Sequence, residues 1–333
     1  MRARAVLFTG EWQVALGEAE IPEPGPGEVL VEAVYTCISP GTELRCLSGR
    51  QHGAPEWPFI PGYAVAGRVH TVGPGCRVAA GDRVICAGTA RSDRNRLWGG
   101  HVEFNLQAES SLTPVPVGVD LQSAAVARLA SIAYHGARLS RPAAHETVAV
   151  IGLGAIGQLA ARVHAVSGAR VVAADRSEGR CATARSAGIE AFTPTEDLVV
   201  GFHERIPGGA DIVIEATGSP ALARLAIELA RDQPYGDVPV PGARLLIQAT
   251  YPDDFTLPYM PAFRKELSIL LPRDRQPRDQ SAALDLAARG RLHLRDLISI
   301  VCDPAEAPGI YASLREQPGD LLTALFQWKP DSQ

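Results

Sequence analysis

Val148-Ala149-Val150-Ile151-Gly152-Leu153-Gly154-Ala155-Ile156-Gly157 is a β-branched run followed directly by the pattern G-x-G-x-x-G. Apolar residues then recur at the spacing of one helix face, at Ile156, Leu159, Ala160, Val163 and Val166. A second apolar run, residues 170–174, ends at Asp175. The order of strand, glycine turn, helix, strand and acid predicts a βαβ unit that binds a dinucleotide. A chance glycine turn is the alternative, but it would not bring these flanking patterns with it.

Each glycine of the motif has its own expected role. Gly152 permits the tight turn, Gly154 lets a pyrophosphate approach the backbone, and Gly157 lets the helix pack close to the sheet. The N-terminus of the helix, with Ala155 and Ile156, then presents free N–H groups and a partial positive charge to the phosphates.

Asp175 indicates which dinucleotide is bound. It lies 18 residues past Gly157, where a carboxylate accepts hydrogen bonds from the ribose hydroxyls and repels the 2′-phosphate of NADP. NAD is therefore favoured, although Arg176 directly after the acid could accommodate that phosphate. Arg180 either lines the adenosine pocket or is a solvated helix residue. Two later loops, each at the carboxyl end of a predicted strand, are also expected to contact the cofactor: Ala216-Thr217-Gly218 and Ala249-Thr250.

The composition excludes several classes of partner. The 333 residues carry a net charge of −5 without a basic block, so neither nucleic acid nor a membrane surface is expected as a partner. No apolar run reaches membrane-spanning length, and the strand pattern after Met1 leaves no signal-peptide core. The six cysteines form no C-x-x-C pair, which is typical of free thiols in a cytoplasmic protein.

The chain is long enough for two domains. Residues 1–121 carry short strand patterns between proline and glycine turns, so they are expected to be all-β and barrel-like. Residues 122–145 have a helical pattern, and strands and helices alternate from there to residue 272. The tail, residues 273–333, is too short to fold alone. It is expected to return to the β-domain, with a helix at 281–289 and a strand near 323–328.

This order of domains resembles the medium-chain dehydrogenase/reductase superfamily, and the resemblance covers nearly the whole chain. Besides the glycine motif, it rests on PGPGEV (24–29), PGYAVAG (61–67), GDRV (81–84), GGHVEF (99–104), EATG (215–218) and RKEL (264–267). The resemblance implies an α/β fold, with a Rossmann doubly wound parallel sheet at 122–272 and a discontinuous GroES-like β-barrel domain at 1–121 and 273–333. It also implies NAD(H) in the cleft between the domains and a homodimer joined through the edge strand at 267–271.

Zinc alcohol dehydrogenases of this superfamily hold a catalytic zinc with a cysteine, a G-H-E-x-x-G motif and a third ligand. The resemblance places Ser39 at the cysteine, Tyr63 at the histidine, Ala64 at the glutamate and Arg128 at the third ligand. Zinc prefers thiolate, imidazole or carboxylate ligands, so no catalytic zinc is expected. A structural zinc loop needs four close cysteines, whereas residues 86–99 contain one, so that zinc is not expected either.

The motifs ISPGTE (38–43), IPGY (60–63) and LWGG (97–100) instead resemble the zinc-less branch that includes the bacteriochlorophyllide a dehydrogenase group. That resemblance supports the branch and leaves the substrate open. Without a metal, hydride transfer needs hydrogen-bond donors and a proton carrier at the substrate oxygen.

Four side chains are candidates for this chemistry, each with an alternative role. Tyr63 hydrogen-bonds to the substrate oxygen, or it is a packing tyrosine. Thr42, at the position of the family's proton-relay hydroxyl, relays the proton or makes a local turn bond. Ser39 is a donor, or only a small residue beside the nicotinamide. Arg128 clamps an acidic group or polarises a carbonyl, or it is a salt-bridge arginine on a helix surface.

Three further residues are weaker candidates. Glu43 is a base or, more commonly, a structural partner of a nearby arginine. His101 and His135 flank motif positions, where they contact the substrate or are satisfied histidines of the core or surface.

The sequence therefore predicts a zinc-independent oxidoreductase of specialised metabolism that transfers a hydride between NAD(H) and a small-molecule alcohol or ketone. A C=C reductase of the enoyl or quinone type is the alternative enzyme, because it shares the fold and the lack of metal. A non-catalytic nucleotide-binding protein is the alternative outside enzymes.

Overall fold

The structure is a computed structural model, and it describes residues 1–195, 197–234, 236, 241–251, 253–317, 319 and 321–331. The chain divides into two compact units. Unit 1 comprises Met1–Leu129, Gln280–Gly290 and Leu294–Gln333, and unit 2 comprises Ala130–Asp279 and Arg291–His293. The predicted boundaries, 121/122 and 272/273, lie several residues before these divisions, because a continuous helix runs through each division: Leu121–Ser140 and Pro277–Ala288.

Short strands come first along the chain, followed by a long helix, alternating strands and helices, and a returning tail. The strands are β1 (Arg2–Gly10), β2 (Gln13–Glu20), β3 (Glu28–Cys37), β4 (Phe59–Ile60), β5 (Val65–Val72), β6 (Arg83–Cys86), β7 (Asn95–Arg96), β8 (Phe104–Ala108), β9 (Thr113–Pro114), β10 (Thr147–Ile151), β11 (Arg170–Ala174), β12 (Glu190–Phe192), β13 (Ile212–Glu215), β14 (Arg244–Ile247), β15 (Ser268–Leu270), β16 (Ile298–Cys302) and β17 (Thr323–Gln327). The helices are α1 (Pro40–Leu47), α2 (Leu121–Ser140), α3 (Ala155–Val166), α4 (Glu178–Ser186), α5 (Leu198–Arg205), α6 (Pro220–Leu229), α7 (Tyr259–Arg264), α8 (Pro277–Ala288) and α9 (Ala307–Glu316).

In unit 1, the larger sheet is built around β3. Its order is β16-β17-β3-β5-β6-β9, with β8 also paired to β3. β17 comes from the tail, and it pairs Leu325 with Cys37 and Phe326 with Thr36. The predicted return of the tail to the β-domain is therefore confirmed.

A smaller sheet of unit 1, with order β2-β1-β4-β7, contributes to the same core. The ring of Phe8 lies 5.7 Å from that of Phe59 and 5.0 Å from that of Tyr311, both edge to face. Such aromatic pairs add to the free energy gained by burial. Tyr311 belongs to α9, so a helix of the tail shares the core formed by the first strands.

The all-β expectation for residues 1–121 is wrong at α1. Pro40 lies in the first turn of this helix, where its missing N–H has no cost, and Glu43, Cys46 and Leu47 form its buried face at helical spacing. The sequence Ser39-Pro40 thus carries a helix-start signal that the strand pattern around it obscures.

In unit 2, six strands form one sheet in the order β12-β11-β10-β13-β14-β15. All neighbouring strands are parallel, which explains why β10 and β13 are continuous apolar runs rather than alternating ones. This is the Rossmann strand order. The chain adds β11 and β12 on one side of β10 and then crosses over to add β13, β14 and β15 on the other side. In the described part of the chain, no helix is both long and apolar enough to cross a membrane.

Candidate functional site

The predicted catalytic side chains of unit 1 come from two neighbouring loops. Ser39 is the N-cap residue of α1 and Thr42 lies in its first turn, whereas Tyr63 lies between β4 and β5. Gly62 has a φ of 87°, and a Cβ there would lie 2.5 Å from Cδ2 of His101. Only glycine therefore fits directly before Tyr63.

Tyr63 and Ser39 share a short hydrogen bond, in which the phenol donates to Oγ of Ser39 at 2.6 Å. Both side chains are buried, with relative exposures of 6% and 4%. An N-cap serine usually accepts a hydrogen bond from the helix backbone, but Ser39 makes no such bond. The half-buried Thr42 lies beside the phenol and lowers its pKa, and its Oγ1 accepts a hydrogen bond from Nη2 of Arg45 at 3.4 Å. The structure thus brings the three predicted hydroxyl groups together.

Arg128 packs on the ring of Tyr63. Its guanidinium carbon lies 4.9 Å from the ring centroid, and its side chain is buried, so it is not a surface arginine. Burial raises the pKa of Tyr63 above its ordinary value, while the Arg128 charge and the hydrogen bond to Ser39 partly oppose that rise. The phenol is therefore a neutral donor at ordinary pH. Trp98 packs against the same ring, with centroids 5.1 Å apart.

Glu43 lies fully buried below this cluster. Its Oε1 accepts the backbone N–H of Ser39 at 2.7 Å. Its Oε2 lies 2.9 Å from Nε2 of His101 and accepts the hydroxyl of Tyr311. Burial and the Glu43 charge raise the pKa of Tyr311, so Tyr311 keeps the proton that it donates. These contacts fit the structural role considered for Glu43, with partners other than the expected arginine.

His101 continues this buried network. Because Nε2 faces a carboxylate, Nε2 carries a proton, and Nδ1 lies 2.8 Å from the hydroxyl oxygen of Thr36. The indole N–H of Trp328 donates to the same Thr36 oxygen at 3.0 Å. Sequence reasoning missed Thr36, Tyr311 and Trp328. No local motif marks them, because Trp328 meets Thr36 only through the pairing of β17 with β3.

His135 belongs to unit 2, and it pairs with a structural carboxylate. Its Nδ1 lies 2.9 Å from Oδ2 of Asp279, which also accepts the backbone N–H of Gln276 at 2.7 Å. Arg138 donates to the other oxygen of Asp279. These contacts fit the alternative role considered for His135, a histidine whose hydrogen bonds are satisfied within the protein.

The glycine motif of unit 2 joins β10 to α3, as predicted. Gly152 has a φ of 90°, and a Cβ on Gly157 would lie 1.9 Å from the carbonyl oxygen of Gly152. Gly154 is the N-cap of α3, with Ala155 directly after it. Among the described residues, a Cβ on Gly154 would meet only the Arg180 guanidinium, at 3.8 Å. The loop therefore leaves room for a phosphate at the helix N-terminus.

Asp175 is fixed against that loop. Its Oδ2 accepts the N–H of Leu153 at 2.7 Å, and its Oδ1 accepts the N–H of Ser177 at 2.8 Å. Arg180 lies 3.7 Å from Oδ2. A carboxylate has about four acceptor positions, so capacity for ribose hydroxyls remains. Arg176, the next residue, is exposed.

Glu215 organises the other two predicted cofactor loops. At the end of β13, its buried carboxylate accepts the N–H of Thr217 at 2.7 Å, the N–H of Gly218 at 3.2 Å and the hydroxyl of Tyr251. A Cβ on Gly218 would lie 3.2 Å from the carbonyl oxygen of Thr250. The loops at 216–218 and 249–250 therefore adjoin. Glu215 and Tyr251 were not among the predicted site residues.

Similarity to known proteins identifies the family to which this arrangement belongs. Residues 25–117 match the family described as alcohol dehydrogenase GroES-like domain, and residues 155–289 match zinc-binding dehydrogenase. The L-threonine 3-dehydrogenase of Streptomyces avermitilis is 32% identical over 62% of this chain and 68% of its own length. The chain belongs to the medium-chain dehydrogenase/reductase superfamily. The predicted fold, a Rossmann sheet with a discontinuous GroES-like domain, is thereby confirmed.

Two other members of the superfamily match nearly the whole chain. The 2-desacetyl-2-hydroxyethyl bacteriochlorophyllide A dehydrogenase of Cereibacter sphaeroides is 27% identical, over 99% of both chains. The solved alcohol dehydrogenase TADH of Thermus sp. ATN1 is 26% identical and superposes with a TM-score of 0.82, over 97% of this chain and 99% of its own.

The name of one matched family includes zinc, which binds only certain donor atoms in proteins. The resemblance assigns the ligand positions to Ser39, Tyr63 and Arg128, and a hydroxyl, a phenol and a guanidinium are not the thiolates, imidazoles or carboxylates that zinc prefers. Within the described ranges, no group of three or more His, Cys, Asp or Glu side chains could hold a metal ion. These residues do not fit a zinc site.

Proposed function

We propose that the chain is an oxidoreductase that transfers a hydride between NAD(H) and an alcohol or ketone, with the Tyr63 cluster in place of a catalytic zinc. The observation that carries this proposal is the hydrogen bond from Tyr63 to Ser39 beside the buried Arg128, at positions that the resemblance assigns to zinc ligands. Membership of the dehydrogenase superfamily supports the reaction class.

The residues of unit 2 fit a dinucleotide. The backbone N–H groups at the start of α3 would bind the pyrophosphate, the open position at Gly154 would let it approach, and Asp175 would accept the ribose hydroxyls. When bound, the nicotinamide ring supplies or accepts the hydride.

In the reduction of a ketone, negative charge develops on the substrate oxygen. Tyr63 would stabilise it by turning its phenolic hydrogen from Ser39 to that oxygen, with the Ser39 hydroxyl then donating to the phenol oxygen. The same group would then pass its proton to that oxygen. Arg128, stacked on the ring, would stabilise the transient phenolate. Thr42 is half-buried and lies beside the phenol, so it would return a proton from solvent. In the oxidation of an alcohol, the same groups would act in reverse.

A C=C reductase remains the second candidate enzyme. Its substrate would need an apolar slot at the nicotinamide, whereas Ser39, Thr42 and Tyr63 present hydroxyl groups. This polarity favours carbonyl chemistry. A nucleotide-binding protein without catalysis would bind NAD and turn over neither class of substrate.

The proposal is tested by measuring zinc content and turnover on the same preparation. We expect NAD(H)-dependent turnover within a panel of alcohols and ketones, zinc far below one atom per chain by elemental analysis, and no loss of activity after treatment with a zinc chelator. Stoichiometric zinc, with loss of activity on chelation and recovery on adding zinc, would refute the metal-free site. Turnover confined to enones or quinones would support the C=C reductase instead.

A further inference from the structure

Ser39 is held at both of its backbone polar groups by one residue. Its N–H donates to Oε1 of Glu43 at 2.7 Å, and its carbonyl oxygen accepts the N–H of Glu43 at 2.9 Å. The side chain of Glu43 thus does for the N-cap what the glutamate of a capping box does. As a result, the position of the Ser39 main chain depends on where the Glu43 carboxylate lies.

The hydroxyl of Ser39 is left available by this arrangement. Losing the side-chain hydrogen bond of an N-cap serine usually destabilises the helix. Ser39 nevertheless makes no such bond and instead accepts the hydroxyl of Tyr63 at 2.6 Å. A departure from the local rule of this kind is expected where function requires it.

The carboxylate of Glu43 is itself anchored from distant parts of unit 1. His101, which follows the loop at 97–100, lies 2.9 Å from Oε2, and Tyr311 of α9 donates to the same oxygen. All three contacts of the carboxylate are with donors, and Glu43 has no exposed surface. A buried, satisfied network of this kind fixes geometry closely.

We propose that Glu43 is a positioning residue that acts through Ser39: its reach fixes the Ser39 hydroxyl, which in turn holds the Tyr63 phenol in one position for the substrate oxygen. This inference rests on the proposed function of Tyr63. Glu43 transfers no proton in this role, so the length of its side chain should affect kcat more than its charge does.

Two substitutions separate length from charge. Glu43→Asp keeps the charge and shortens the side chain by one methylene, so it cannot reach Ser39 and the Oε2 donors together. Glu43→Gln keeps the length and an oxygen for the N–H of Ser39. Its NH2 group can donate to the hydroxyl of Tyr311 and to Nε2 of His101, provided that the ring proton of His101 moves to Nδ1, which lies 2.8 Å from the hydroxyl of Thr36. We expect Glu43→Asp to lower kcat on the order of tenfold and Glu43→Gln to stay within about threefold of the parent, with the KM for NAD unchanged in both, since small misplacements of catalytic groups cost rate. Glu109→Asp is the matched control, because Glu109 also accepts backbone N–H groups in unit 1, including that of Val78 at 2.7 Å.

A double-mutant cycle with Ser39→Ala shows whether Glu43 acts through Ser39. We expect Glu43→Asp to change kcat less than about twofold in the Ser39→Ala background, since coupled residues are not additive. Equal losses in both backgrounds would overturn the inference, as would Glu43→Gln being slower than Glu43→Asp. If Glu43→Asp does not fold, kcat of Glu43→Gln alone decides, since a loss beyond tenfold would indicate a role for the charge. If Tyr63→Phe has the kcat of the parent, the proposed function is wrong. If Tyr63→Phe is slow but Glu43→Gln is slower than Glu43→Asp, only this inference is wrong.

Discussion

We expect the carboxylate of Asp175 to decide whether the chain binds NAD or NADP. Its oxygens are held by the N–H groups of Leu153 and Ser177, so the charge stays at the end of β11. A fixed negative charge favours the ribose hydroxyls of NAD and repels the 2′-phosphate of NADP. Arg176 follows directly but is exposed, so we expect the acid to dominate.

Asp175→Asn should weaken NAD binding about ten- to hundredfold, because hydrogen bonds to a charged group are worth about 1.5–3 kcal/mol. It should also narrow the preference of the chain for NAD over NADP, since the repulsion is removed. Calorimetric titration of both cofactors measures this, with Arg176→Ala as the control that should leave NAD binding unchanged. If the parent binds NADP more tightly than NAD, Asp175 does not select NAD.

Residues that belong to motifs could be predicted, and residues brought in by strand register could not. Ser39, Thr42 and Tyr63 lie in short motifs, and the structure brings them together. Thr36 comes from β3 and Tyr311 from α9, whereas Trp328 directly follows β17 and donates to Thr36, 292 positions away. No local pattern records such a pairing. Their roles follow only once β17 is known to pair with β3.

At the scale of elements, the clearest patterns were those with one physical cause. β10 is continuously apolar because both faces of a parallel sheet are covered. The glycines after it are required by the positive φ at Gly152 and by the close packing at Gly157. α1 was missed, because eight residues give too few turns for a periodicity that stands out from the surrounding strands. Its Ser-Pro start was the available signal.

His164 gives helix α3 a stability that depends on pH. It is fully buried, with Nδ1 2.8 Å from the carbonyl oxygen of Ala160 and Nε2 3.0 Å from the hydroxyl of Ser140. Burial lowers the pKa of His164 from 6.5 to about 4. The unfolded chain therefore binds the proton first, and the stability from neutral His164 is present above pH 6.5 and is lost as pH falls towards 4.

Between about pH 7.5 and about pH 5, the parent should lose about 2 kcal/mol of unfolding free energy more than His164→Gln loses. Urea titrations of both proteins at both pH values measure the difference. Identical pH dependence in the two proteins would show that His164 does not stay neutral in the folded state.

At the scale of the whole molecule, one edge of the unit 2 sheet is apolar. β15 ends the strand order, and Ile269 and Leu271 are exposed there, as are Tyr259 and Phe263 of α7. An apolar edge strand left in water favours association with another chain. This supports the homodimer that the resemblance implies.

We expect a mass near twice 35.3 kDa at micromolar concentration, measured by light scattering after size exclusion. Leu271→Asp should shift that mass towards one chain, because it places a charge on the edge. Val117→Asp, at an exposed position of unit 1, is the control that should remain dimeric. A monomeric parent at this concentration would contradict the prediction.

We propose that the phenol of Tyr63 takes the place of a metal at the substrate oxygen. The most direct test is kcat of Tyr63→Phe, which keeps the buried ring against Arg128 and Trp98 and removes only the hydroxyl. Loss of one preorganised donor should lower kcat on the order of a hundredfold, while the affinity for NAD stays at the parent value. A variant that still binds NAD and turns over substrate as fast as the parent would show that Tyr63 is a packing residue and does not replace a metal.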